Sequence, residues 1–216
     1  MRIPAVLVAL WVIVTFPTAA IAAPILLDQH YEPAIGSGSL NVQIDQSVVQ
    51  TFTVGIDGIL SSVEVQLARG NPAPAEGITL SIVDASGGTP NLSAVLASAF
   101  ISPSQISTAY AFVSVDLSAA MLDVAMGQQL GIYLTSLAPN GSGINPYAWF
   151  GDSAGLYAGG AGYIRTSPTL RDFGFRTFVD TQNVQQAPEP TSLALLGLGL
   201  VGVVCRAAKR RRTVTG

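Results

Sequence analysis

Ser62-Val63-Glu64-Val65-Gln66-Leu67 alternates polar and apolar residues without a break. Extended chain turns successive side chains to opposite faces. Val63, Val65 and Leu67 therefore share one face, and Ser62, Glu64 and Gln66 the other. The pattern reads as a strand with one buried face. It recurs where Ile78, Leu80 and Ile82 alternate with Thr79 and Ser81, and where Leu130, Ile132 and Leu134 alternate with Gly131, Tyr133 and Thr135. Further strands are predicted over 25–30, 48–54, 95–101, 110–117, 146–150, 162–165 and 173–179. Turn signals separate them: Asp57-Gly58, Gly70-Asn71-Pro72, Ser86-Gly87-Gly88 and Pro139-Asn140-Gly141. No long helical period lies between the two ends of the chain, although 118–126 suits one helical turn. Short strands without crossover helices predict an all-β, antiparallel sandwich, with a jelly roll as the favoured variety.

Outward from this middle, the two ends are of a different kind. Arg2 precedes an apolar run over residues 5–16, Pro17 breaks it, and Ala20-Ile21-Ala22 puts small residues at Ala20 and Ala22. This is the layout of a secretory signal, cut by a signal peptidase after Ala22. At the other end, Pro188-Glu189-Pro190 precedes an apolar stretch from Thr191 to Cys205. A basic cluster follows: Arg206, Lys209, Arg210, Arg211 and Arg212. As a helix, the apolar stretch spans about 22 Å, and about 27 Å if Ala207 and Ala208 join it, against a hydrocarbon core of about 30 Å. A transmembrane helix is predicted there, marginal in length, with its basic end held cytoplasmic. Pro188 and Pro190 keep the preceding chain extended, the form in which a protease cleft binds its substrate.

The three-part tail resembles the PEP-CTERM sorting signal of Gram-negative bacteria. The residues that carry the resemblance are Pro188, Glu189 and Pro190, the Leu/Gly-rich stretch and the Arg-rich end. The resemblance implies recognition by a membrane protease-transpeptidase, exosortase. It implies a transient inner-membrane anchor, and then the cell surface, outer envelope or extracellular matrix. It also implies an association with exopolysaccharide and biofilm. Several middle stretches look like the jelly-roll domains of variously anchored bacterial surface proteins: Gln50-Thr51-Phe52-Thr53-Val54, 80–88, 95–99 and 172–178. The expected organisation is a signal peptide over 1–22, a β-sandwich over 23–180, a linker over 181–187, the sorting signal over 188–212 and a tail over 213–216.

Charge narrows the function. The chain has 216 residues, only 11% of them charged, and a formal net charge of −3. That mild figure averages unlike parts. Residues 23–186 hold four arginines, no lysine and twelve acidic side chains, a formal −8. Nucleic acid is an unsuitable partner for such a surface. The single lysine is Lys209, so no phosphate cradle is expected. The one cysteine, Cys205, lies in the apolar tail, so the middle must hold together by its core alone.

Catalytic and binding candidates are few. Gly151-Asp152-Ser153-Ala154-Gly155 has the G-x-S-x-G spacing and resembles the GDSGG motif of serine proteases, apart from Ala154. A Ser153 hydrolase needs a histidine, and His30 is the only one in the chain. Leu156-Tyr157-Ala158-Gly159-Gly160 is no helix start, as a nucleophile elbow requires. The chain is therefore expected to be no enzyme, with Ser153 in a Gly-rich loop. With one histidine and no exported cysteine, zinc is not expected. Asp28, Glu32 and Asp172 would be the carboxylates for calcium if paired terminal strands brought them together. Tyr147, Trp149, Tyr157 and Tyr163 cluster near 141–163. Two readings of them stand open. Tyr147 and Trp149 share the core face of one strand, or the cluster is exposed and stacks on an exopolysaccharide. The leading expectation is a non-catalytic surface or matrix protein, with a carbohydrate-binding module as the alternative and a serine hydrolase through Ser153 as the third reading.

Overall fold

A computed structural model describes residues 24–34, 38–140 and 146–181, and these run almost wholly as strands and turns. The first strands are β1 (Ile25–Tyr31), β2 (Ser39–Asn41), β3 (Val48–Thr53) and the twelve-residue β4 (Gly58–Arg69). They are followed by β5 (Ile78–Asp84), β6 (Asn91–Ile101), β7 (Ala111–Asp116), β8 (Asp123–Val124) and β9 (Gln129–Ser136). The last are β10 (Tyr147–Asp152), β11 (Gly162–Ile164), β12 (Ser167–Pro168), β13 (Asp172–Phe173) and β14 (Phe175–Asp180). Pro103–Gln105 and Ser118–Ala120 form single 3-10 turns.

The strands make two antiparallel sheets. One runs β1-β14-β4-β10-β13, with β2 beside β10 and with β7 and β8 beside β4. The other runs β12-β11-β3-β9-β5-β6. The alternating stretch 62–67 lies in β4, the spine of the first sheet. Ser62 to Val65 pair with both β14 and β7, and Leu67 pairs with both Trp149 and Ala111. Thus β14 and β10 lie end to end along one side of β4, with β7 and β8 along the other.

Side-chain alternation then determines the burial. Val63, Val65 and Leu67 are buried, whereas Ser62, Glu64 and Gln66 are only partly covered. Leu80 and Ile82 of β5 and Leu130, Ile132 and Leu134 of β9 bury the inner face of the second sheet. Residues of both sheets belong to one apolar cluster, joined where Phe52 of β3 meets Phe175 of β14 with ring centroids 5.9 Å apart. Each such side chain contributes about 1.5–3 kcal/mol when fully buried.

The all-β expectation and the antiparallel pairing both hold. Three strands, β2, β8 and β12, were not foreseen, because two or three residues are too few to display a period; the single strand expected over 173–179 is two, the short β13 beside β10 and β14 beside β4. The turn expected over 118–126 is one 3-10 turn, after which the chain pairs with β4 as β8. The expected signal helix and transmembrane helix lie outside the described residues. Among the described residues no helix is long and apolar enough to cross a membrane.

Candidate functional site

The aromatic cluster takes its place from strand geometry. Trp149 sits in β10 between Leu40 of β2 and Leu67 of β4 and is fully buried. Its indole N–H donates to the Gly174 carbonyl at 2.9 Å. Tyr147, two residues earlier on the same face, is also buried, and its hydroxyl donates to the Glu76 carbonyl at 2.5 Å. Burial holds the Tyr147 phenol above its ordinary pKa. Tyr163 is buried in β11, its hydroxyl bonded to the Gly88 carbonyl at 2.9 Å. Tyr157 is half-buried and packs edge-on against Phe175. These four residues do not form the exposed sugar-stacking platform that the alternative required. The physical reason is that the inward face of β10 lies over the shared core, where Trp149 and Tyr147 are the two largest fully buried side chains among the described residues.

A polar network surrounds Tyr157 at the edge of that core. The Tyr157 hydroxyl donates to Gln29 Oε1 at 3.0 Å, and its backbone N–H donates to Asp172 Oδ2 at 2.8 Å. Asp172 Oδ1 accepts from the Gln50 amide at 3.2 Å, and Gln50 Oε1 accepts the Phe173 N–H at 2.8 Å. The Tyr31 hydroxyl donates to Asp152, which also accepts the N–H groups of Ala154 and Gly155. Asp28 Oδ1 accepts the Gly55 N–H at 2.8 Å, while Asp28 Oδ2 accepts the Thr177 hydroxyl at 3.2 Å. Burial pushes the Asp172 carboxyl up, opposed by the Tyr157 and Gln50 hydrogen bonds and reinforced by Asp152. Burial likewise raises Asp28 and, aided by the Asp28 charge, Tyr157. Tyr157 and the loop around it are thereby tied to β1, β3 and β13. The carboxylate oxygens of Asp28, Asp152 and Asp172 are engaged by protein donors, so the network works as a fastening. Gln50, central to it, was missed from sequence. Its signal was a lone amide between Val48-Val49 and Phe52, in a run otherwise reading as buried strand.

The three carboxylates considered for calcium do not converge. Glu32 turns to Arg176, its Oε1 lying 2.8 Å from Nη2, and Arg176 also reaches Glu64 at 2.9 Å. Asp28 and Asp172 bond to separate partners, as described above. Among the described residues no group of three or more His, Cys, Asp or Glu is arranged to hold a metal ion.

Ser153 follows the end of β10 and is exposed, with bends and turns rather than a helix after it. His30 lies on β1 opposite Arg176, next in sequence to Tyr31, the residue that bonds Asp152. Alternation along β1 turns His30 away from that bond. Among the described residues no hydrogen bond joins His30 to Ser153.

The tail residues Pro188, Glu189, Pro190, Arg206, Lys209, Arg210, Arg211 and Arg212 lie outside the described residues, as do Ala20 and Ala22 at the signal cut. No curated protein matches the chain. Residues 186–212 match the PEP-CTERM protein-sorting motif, which marks the chain as an exosortase-processed protein exported to the cell surface by way of a transient membrane anchor.

Proposed function

We propose that this protein is a non-catalytic passenger of that export route, displayed at the cell surface or in an exopolysaccharide matrix. A signal peptide over 1–22 starts its export, and the sorting enzyme reads Pro188-Glu189-Pro190. The part delivered is the two-sheet domain, taken here as a β-sandwich of jelly-roll type. The observation that carries this reading is the sorting motif at 186–212, following directly on a domain with its own core. The bends and turns that follow Ser153, where a nucleophile elbow requires a helix, support the non-catalytic part. The −8 formal charge of residues 23–186 supports a soluble, well-dispersed domain after release.

Processing and destination test this together. Glu189→Ala removes the only charge between Thr181 and Leu200. The variant should retain its C-terminal fragment and stay with the membrane, read by the mass of the intact protein in cell fractions. Parental processing of that variant overturns motif recognition. Release into the medium with no retention on the cell surface or the polymer it secretes overturns the display role.

A further inference from the structure

The last described strand and the first leave the fold at one end. Ile25 of β1 pairs with Asp180 of β14, Asp180 with Ile59 of β4, and Ile59 with Asp123 of β8. This row of four strand ends is the edge from which the chain departs toward the sorting motif. Four large apolar side chains are exposed along it. Ile25 is 57% exposed, Leu26 40%, Met121 62% and Met126 67%. Between them lie exposed Asp57, which accepts the Met126 N–H at 2.6 Å, and exposed Asp123. Neither lysine nor arginine occupies this row.

From Thr181 to Pro188 is seven residues, and seven fully extended residues reach at most about 25 Å. While the tail is in the membrane, this end of the fold is therefore kept within about 25 Å of the motif and of whatever acts on it. Grouped exposed apolar side chains mark an interaction surface. Acidic residues within the group select a basic partner and disfavour an anionic lipid surface. Resting on the sorting reading, we infer that the rim of Ile25, Leu26, Met121 and Met126, with Asp57 and Asp123, is a docking surface for the membrane-bound sorting enzyme. The matching surface on the enzyme is apolar with basic side chains. Docking here places the linker and Pro188-Glu189-Pro190 beside the enzyme before the cut. The effective concentration of the motif rises without any change in the motif itself.

The test is the processing rate of the full chain in cells that make the sorting enzyme. Met121→Ser combined with Met126→Ser removes the two most exposed apolar side chains of the rim, and Asp123→Lys reverses a charge, all at exposed positions. Each is expected to slow the appearance of the cut form about fivefold or more, with the motif intact. Circular dichroism and thermal melting of the purified variants should match the parent. Glu189→Ala runs in parallel. If it blocks cutting while the rim variants are cut at the parental rate, docking is overturned and the sorting reading stands. If it too is cut at the parental rate, both fall. A Met121→Trp full chain in vesicles of brominated phosphatidylcholine, without enzyme, tests the lipid alternative. Quenching of its added fluorescence identifies a lipid contact and overturns the enzyme-docking assignment; absence of quenching is the expected result.

Discussion

Trp149 lies stacked on Phe173, with ring centroids 4.9 Å apart and planes inclined by 29°. The contact ties the end of the β4–β10 pairing to β13, and it has the same cause as the loss of a sugar platform. A ring that large is worth more inside this core than on its surface.

Trp149→Ala should therefore destabilise the fold by about 3–5 kcal/mol, the range for deleting a large buried aromatic. Trp149→Phe should cost clearly less. It keeps a ring against Phe173 and loses the hydrogen bond to Gly174, whose carbonyl still accepts the Gln66 N–H. Urea unfolding followed by far-ultraviolet circular dichroism measures both. Equal losses in the two variants would contradict the stacking role.

Gln50→Leu isolates the polar fastening. The substitution leaves the Phe173 N–H and Asp172 Oδ1 without their amide partner in a buried setting. Each group so abandoned costs about 1–3 kcal/mol. Hydrogen exchange should show the Tyr157 and Phe173 amides losing protection before those of β4 and β9. Uniform loss across both sheets would mean that Gln50 is no local fastening.

Acid titration distinguishes Asp28 from an ordinary surface carboxylate. Burial holds its carboxyl above 3.8, against the pull of the Gly55 and Thr177 hydrogen bonds. With a raised folded-state pKa, the folded chain keeps the proton to higher pH than the unfolded chain. The stabilisation from protonation is complete below 3.8 and is lost as pH rises through the folded value. Asp28→Asn is uncharged throughout and retains an acceptor for Gly55. It should be more stable than the parent near about pH 7, with the two converging toward about pH 4. A constant difference across that range in chemical unfolding would refute it.

Arg176 joins Glu32 and Glu64 and lies 3.9 Å from the Phe112 ring centroid. The Glu64 side chain is 21% exposed and that of Glu32 51%, so solvent screens the Glu32 pair more. Arg176→Ala should cost about 1 kcal/mol, less in high salt. Glu64→Ala should exceed Glu32→Ala. Unfolding at low and high salt provides the measurement, and the reverse order would contradict the stated screening.

Much of the architecture was legible as period. In β4, β5 and β9 the alternation spans enough residues to name both the strand and its buried face. In β2, β8 and β12 it does not, since those strands exist only because a neighbour supplies their hydrogen bonds. The candidate sites divide in the same way. Tyr147 and Trp149 were legible as a pair on one face, but whether that face met solvent was not. Asp28, Glu32 and Asp172 are far apart in sequence, and nothing in their spacing foretold that Glu32 would turn to Arg176.

The linear sequence by itself determined the longer strands and the sorting motif, because alternation and Pro-Glu-Pro with its apolar and basic sequel are written in consecutive residues. Only the tertiary structure decided that the aromatics are core and that the carboxylates take separate partners. It alone also gathered Ile25, Met121 and Met126 at the end where the chain departs. Those outcomes depend on which strands lie side by side, and pairing is settled by the shared burial of faces that are distant along the chain.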